Sequence, residues 1–319
     1  MTTTLKRMAG AVLCACTLAF AHAAEPPLTI IVPYAPGGMG DTVARLTAQA
    51  MTKEGGRTVI VENRPGANGM IGLQAISRAS PDGATIGLVP ASVLTVNPSI
   101  YKDMKVDTAK DISPLTLALS LPNVLVVNPS VPARNLPDFL AYLKANQAKI
   151  SYGSMGTGSS GHLNGELLQR DTGLELTHVP YKGSAPAMQD LIAGQIQMAF
   201  ENLPVALPYI QAGKLRAIGV TSTSRSPALP DIPPLADTLP GFEDNIWFAF
   251  VGPKGLPAAT TEKLHDQLVK AVASPDVSSV VKERGAVVVS SSPAELRDLI
   301  VAERDKWASL VKERNVKID

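Results

Sequence analysis

Two stretches of this sequence combine glycine, hydroxyl and acidic residues at spacings that suit the binding of an anion. Residues 33–46 read PYAPGGMGDTVARL, with Tyr34, Gly37, Gly38, Met39 and Gly40 ahead of Asp41. Residues 153–168 read GSMGTGSSGHLNGELL, with Ser154, Gly156, Thr157, Gly158, Ser159 and Gly161 ahead of His162. Each follows a short apolar run that reads as a strand and precedes a segment that reads as a helix. A helix start leaves backbone N–H groups unpaired and carries about half a positive charge, so it can seat an anion unaided. Neither loop contains Lys or Arg up to Asp41 or His162; Lys182 and Arg64 are the nearest cations by sequence. The glycine density exceeds what a tight turn requires and points to close approach of backbone and ligand. One such turn is ordinary in an α/β protein. Two, one in each half, point to two lobes that close on a small anionic ligand. Asp41 is expected to bind the N–H groups of its own helix. His162 is expected in the first turn of its helix, where the positive end favours neutral imidazole, with ligand contact and packing as the two open roles.

Other chemistry finds little support. No G-x-S-x-G elbow surrounds Ser159 or Ser160, and no G-K-[ST] phosphate loop exists. Gly38 and Gly40 begin a dinucleotide-like pattern that has Val43 in place of its third glycine. Outside the first 23 residues the histidines are His162, His178 and His265, widely separated. His162 and Glu166 share a helix face, but two ligands do not make a zinc site. No catalytic residue, metal or cofactor is expected.

Charge is nearly balanced, 29 basic residues against 28 acidic, and aromatics make up 4%. This gives no electrostatic case for nucleic acid or an anionic membrane surface as partner, and no base-stacking surface. Lys6 and Arg7 precede an apolar run, and Ala21–His22–Ala23 fits an A-x-A cleavage site, so residues 1–23 read as a secretory signal peptide cut near Ala23 or Ala24. Cys14 and Cys16 both fall within it, leaving no cysteine in the exported chain. Residues 13–16 also loosely match a lipoprotein box, a reading that leaves 17–23 unexplained. The exported protein is expected in the periplasm as a monomer.

Strand and helix signals then alternate. Residues 28–32, 58–61 and 84–89 read as strands around helices at 41–51 and 70–78, the pattern of a parallel α/β sheet with ligands at the strands' carboxyl ends. The loops there are 33–41, 63–69 and 90–98. After Pro122 a second α/β unit begins, ending near residue 221. The tail holds a strand at 246–251, a helix at 260–273 and a last helix opened by Ser292, Pro293 and Glu295, a capping box. The expected division is 24–122 with 246–319 as one lobe, on which the last helix packs back, and 123–245 as the other. The chain then crosses between lobes twice, making a hinge.

The motifs VPYAPGGMGDTVAR, VENRPGANGMIG, SPDGATIGL, YGSMGTGSSGHL, VPYKGSAPAMQDLIAGQIQMAFEN and AGKLRAIGVTS resemble, in order and spacing, the Bug (TctC-like) periplasmic solute-binding proteins of tripartite tricarboxylate transporters. The resemblance implies an α/β periplasmic-binding-protein (Venus flytrap) fold, two lobes joined by two crossover segments. It implies a carboxylate held by residues 38–41 (Gly38, Met39, Gly40, Asp41) and by Ser154, Gly156, Thr157, Ser159 and His162. Tyr34 would form an aromatic wall, with Ala67, Asn68, Ser92 and Asn202 lining the cleft. Partners would be a small organic carboxylate and the large and small membrane subunits. Val93 and Glu201 depart from residues common in the family, near the ligand's expected far end. The competing readings are a ligand sensor for a membrane kinase and an exported hydrolase using His162 with Ser159 or Ser160.

Overall fold

The computed structural model describes residues 25–101 and 104–316. The signal segment 1–23 lies outside the described residues. In the first lobe, β1 (Leu28–Val32), α1 (Met39–Gly55), β2 (Val59–Asn63), α2 (Met70–Ser77) and β3 (Thr85–Pro90) alternate, and the three strands pair in parallel in the order β2-β1-β3. Residues 90–98, expected as a loop, are largely helical. A π turn (Ser92–Val96) runs into α3 (Asn97–Ile100). The Thr95 hydroxyl donates to the Ala91 carbonyl at 2.9 Å. Asn97 and Asn68 pair reciprocally at 2.9 Å, fixing this segment against residues 67–69.

A sixteen-residue strand, β4 (Ile112–Val127), comes next. Its first part belongs to the first sheet and its last five residues to the second, so the crossing at Pro122 is made inside one strand. Sequence reading began a new unit there because proline interrupts central strands. Here Pro114 sits at a register shift, and Pro122 sits where the strand leaves one sheet for the other. The second lobe adds α4 (Leu136–Asn146), β5 (Ser151–Ser154), α5 (Ser160–Thr172), β6 (Thr177–Pro180), α6 (Ser184–Ala193), β7 (Met198–Asn202), α7 (Leu203–Gln211) and β8 (Arg216–Val220). Its sheet runs β8-β4-β7-β5-β6, with β7, β5 and β6 parallel.

The chain returns through β9 (Asn245–Pro253), antiparallel between β3 and β4. Helices α8 (Ala258–Ala273) and α9 (Pro275–Glu283), the short β10 (Val287–Val288) and α10 (Pro293–Glu313) follow. Each sheet has apolar clusters on both faces, as in doubly wound α/β folds.

Helix α10 opens with the capping box read from Ser292 and Glu295. It does not confine itself to the first lobe. Leu296 and Ile300 pack with Trp247 and Val251 of β9, whereas Trp307, Leu310 and Val311 lie in the second lobe's core with Leu163 and Leu167. Arg304 pairs with Asp107 at 2.9 Å and Arg314 with Glu166 at 2.8 Å, so ion pairs repeat the division. The physical reason is length: 21 residues span ~30 Å, enough to lie across both lobes.

Leu310 is 1% exposed. Leu310→Ala is expected to cost ~2–5 kcal/mol in urea unfolding, the range for a buried Leu truncated in a packed core. A loss below ~1 kcal/mol would show that the end of α10 is not part of that core.

Candidate functional site

The first glycine-rich loop places α1. Gly38 is the N-cap in extended conformation (φ −75, ψ 174), so Asp41 falls in the first turn and not at the cap. Its carboxylate accepts from the Gly37 N–H at 2.9 Å, Arg45 Nε at 3.1 Å and Asn63 Nδ2 at 2.9 Å. Against the cost of its burial, these three partners hold the carboxyl below its ordinary range. Both oxygens are engaged, so Asp41 sets the loop and leaves the N–H groups at the helix start open.

The second loop is held from beneath. Ser154 Oγ accepts from the Gly156 N–H at 3.2 Å and hydrogen-bonds His178 Nε2 at 2.7 Å. His162 Nδ1 accepts from the Gly158 N–H at 3.0 Å. The N–H groups of Gly156 and Gly158 are therefore turned into the protein, contrary to the ligand role expected of Gly156. Those of Ser160 and Gly161, the first helical residues of α5, have no intrahelical partner. A Cβ on Gly161 would lie 2.5 Å from the Phe200 carbonyl oxygen, so only glycine lets this helix end dock on β7.

His162 and His178, far apart in sequence, stack at 3.9 Å, and Tyr152 stacks on His178 at 4.8 Å. Burial pushes both imidazoles down, His178 to about 4 with the help of His162. Both are neutral pillars under the loop. With its lone pair on Nδ1 already used, His162 presents no acceptor to Ser159 or Ser160, and Ser159 Oγ caps α5 by accepting from the His162 N–H at 3.4 Å. A Ser–His pair for hydrolysis is not assembled there.

Two adjoining cavities lie between the lobes. The first, of about 410 Å³, has Tyr34, Asn68, Ser92, Ser159 and Asn202 in its walls, together with Gly158 and Ser160. The second, of about 460 Å³, has Tyr34, Gly38, Met39, Gly40, Asp41 and Asn202. Ala67, Ser154, Gly156, Thr157 and His162 line neither. Ala67 lines a separate pocket with Met70 and Leu73, and Ser154, Gly156 and His162 hydrogen-bond within the loop. Burial raises the Tyr34 hydroxyl to about 12, keeping it a neutral donor.

The sequence reading missed a whole wall. Asp244, Ile246, Phe248, Glu303 and Trp307 line the first cavity, and Arg284 the second. The i, i+4 pair Glu303 and Trp307 is the available signal, in a helix expected to pack on the first lobe alone. Among the described residues no Lys or Arg lines the first cavity. Burial pushes Asp244 up and Glu303 to about 7, the latter accepting from Trp247 Nε1 at 2.9 Å. Val93 is fully buried beneath the site. Glu201, 1% exposed, ties Asn202 and Ser184 together by accepting from the Asn202 N–H at 2.8 Å and Ser184 Oγ at 3.1 Å.

Burial raises Glu201 to about 7 despite those donors. A carboxyl raised on folding contributes stability that is full below its unfolded value, 4.5, and is lost as pH rises through about 7. Glu201→Gln, which keeps an acceptor and cannot ionise, is expected to gain stability relative to the parent across that window and hold it above. Urea midpoints at about pH 5 and about pH 8 check this. An equal difference at both would mean that Glu201 ionises normally.

Comparison with known proteins agrees with this architecture. The description "Tripartite tricarboxylate transporter family receptor" matches residues 43–316. Protein BugT of Bordetella pertussis (strain Tohama I) is 34% identical, covering 92% of this chain and 90% of its own. The periplasmic binding protein BugD superposes with TM-score 0.77 at 35% identity, over 92% of this chain and 99% of its own. An R. palustris protein solved with adipate does so with TM-score 0.80 at 31% identity, over 92% and 98%. The two-lobe Venus flytrap arrangement of periplasmic solute-binding proteins is thus the fold of this chain. The chain belongs to the Bug, or TctC, family of tripartite tricarboxylate transporter receptors.

Proposed function

We propose that this protein is an extracytoplasmic solute-binding protein, exported by residues 1–23. It captures a small organic carboxylate between its lobes and delivers it to the large and small membrane subunits of a tripartite tricarboxylate transporter. The observation that carries this reading is the first cavity itself. Its walls come from both lobes, and the open N-terminus of α5 meets the hydroxyls of Ser92, Ser159 and Ser184 there, with no cationic side chain among the described residues. A relative of the same fold was solved with adipate. The ligand contacts proposed are Tyr34, Asn68, Ser92, Ser159 and Asn202, with the N–H groups of Ser160 and Gly161 and of the α1 start. Residues 24–122 and 246–319 form one lobe and 123–245 the other, with α10 laid across both.

Hydrogen bonds to a charged group contribute ~1.5–3 kcal/mol each. Four or five, less ordering costs, reach the ~8 kcal/mol of micromolar affinity. A thermal-shift screen over mono-, di- and tricarboxylates is expected to find a stabilising acid, since ligand at about 100 times Kd adds ~2.7 kcal/mol. A response to sugars or cations alone would overturn the reading.

The helix-end mechanism has its own test. Ser160 is the first helical residue of α5 and follows Ser159 in extended conformation (φ −70, ψ 160), a position proline accepts. Ser160→Pro deletes one N–H while leaving the helix intact. It is expected to weaken binding by about tenfold or more relative to Ser160→Ala in calorimetric titration. Lys182→Ala, at an exposed residue outside both cavities, should weaken it less than about tenfold. The reverse order would put recognition on a lysine.

A further inference from the structure

The lining of the first cavity is mixed in charge. It includes the start of α5 with its hydroxyls and, where the chain recrosses, the two acids Asp244 and Glu303. Asp244 is 7% exposed, and Oδ2 accepts from Asn164 Nδ2 at 2.7 Å. Asn164 is the one side chain among the described residues that hydrogen-bonds this carboxylate, so Oδ1 is open. Glu303 accepts from the Trp247 indole through Oε1. Phe248 and Trp307 line the same cavity, and aromatic faces attract cations. Lys306 is near, but its ammonium donates to the Glu243 carbonyl and lies 4.6 Å from the centre of the Trp307 ring; it forms no ion pair with either acid. Among the described residues neither acid has a cation in an ion pair, and Lys306 is the one charge that partly offsets them.

We propose that the ligand supplies the pairing cation: an organic acid with a protonated amine at the end away from its carboxylate, held by Asp244 and Glu303. This rests on the reading of the cavity as a carboxylate site. Asn164, which anchors Asp244, is one helical turn along α5 from Ser160, ~6 Å. Amine and carboxylate therefore sit at opposite ends of a short chain, as in an ω-amino acid, and not on one carbon. An ammonium has three donors for the open oxygens. A dicarboxylate would instead bring a second negative charge against Asp244 and Glu303.

The test uses matched sets of one chain length: a straight-chain monocarboxylate, its dicarboxylate and its ω-amino acid, from four to six carbons, in calorimetric titration. At about pH 8 the best-fitting ω-amino acid is expected to bind at least about tenfold tighter than its dicarboxylate. Asp244→Asn and Glu303→Gln, each shown folded by circular dichroism, should each narrow that gap. Lowering the pH to about 6 should narrow it too, because burial holds Glu303 at about 7, with Asp244 and Lys306 the charged groups that face it. If the dicarboxylates bind tighter, or the gap survives both substitutions, the amine assignment is wrong while carboxylate capture stands. If no member of any set binds, carboxylate capture fails and the assignment with it.

Discussion

The buried hydroxyl of Thr221 joins the two segments by which the chain passes between lobes. It accepts from the Asn123 N–H at 2.9 Å and donates to the Asp244 carbonyl, and the Asp244 N–H returns to the Thr221 carbonyl at 3.0 Å. Asn123 is the first residue of β4 in the second sheet, and Asp244 immediately precedes β9 in the first. Both crossings are thus stitched at one point. The same point opens onto the cavity. Asn202, hydrogen-bonded to Asn123 Oδ1 at 2.8 Å, and Asp244 both line it. The junction between the two crossings is therefore part of the cavity wall.

The anion seats follow from this placement. Two helices, α1 and α5, point their N-termini at the gap because each follows a strand whose carboxyl end lies there. The polar side chains in the loops mostly serve the backbone. Asp41, Ser154 and His162 spend their hydrogen bonds fixing loop geometry, which leaves the N–H groups at the helix starts beside the Tyr34 and Ser92 hydroxyls. Such donors are rigid and uncharged in sum, so in the proposed site they would bind an anion without the desolvation cost of a buried lysine.

The alternation of strands and helices was legible because it is local: apolar runs, glycine turns and caps such as Ser292 lie within a few residues of what they determine. Both glycine loops were legible for the same reason. The continuity of β4 was not, since Pro114 and Pro122 are strand breakers whose tolerance depends on a register shift and on a change of sheet. Nor could the sequence place His178 under His162, or Glu303 opposite Ser92. Those pairings depend on which strands neighbour one another and on where the tail helix lies. Asp41 and His162 both hydrogen-bond within their loops, and local pattern could not say which way their side chains face.

Helix α10 limits how the lobes can move. A two-segment hinge alone would allow wide opening, but a helix with Ile300 in one core and Leu310 in the other cannot stretch. Separating the lobes at α10 would expose Trp307 and break the Arg314–Glu166 pair, in which both side chains are largely buried. Removing one partner from such a pair costs far more than an exposed salt bridge. Any relative motion of the lobes is therefore cheapest where α10 and the Thr221 junction stay intact.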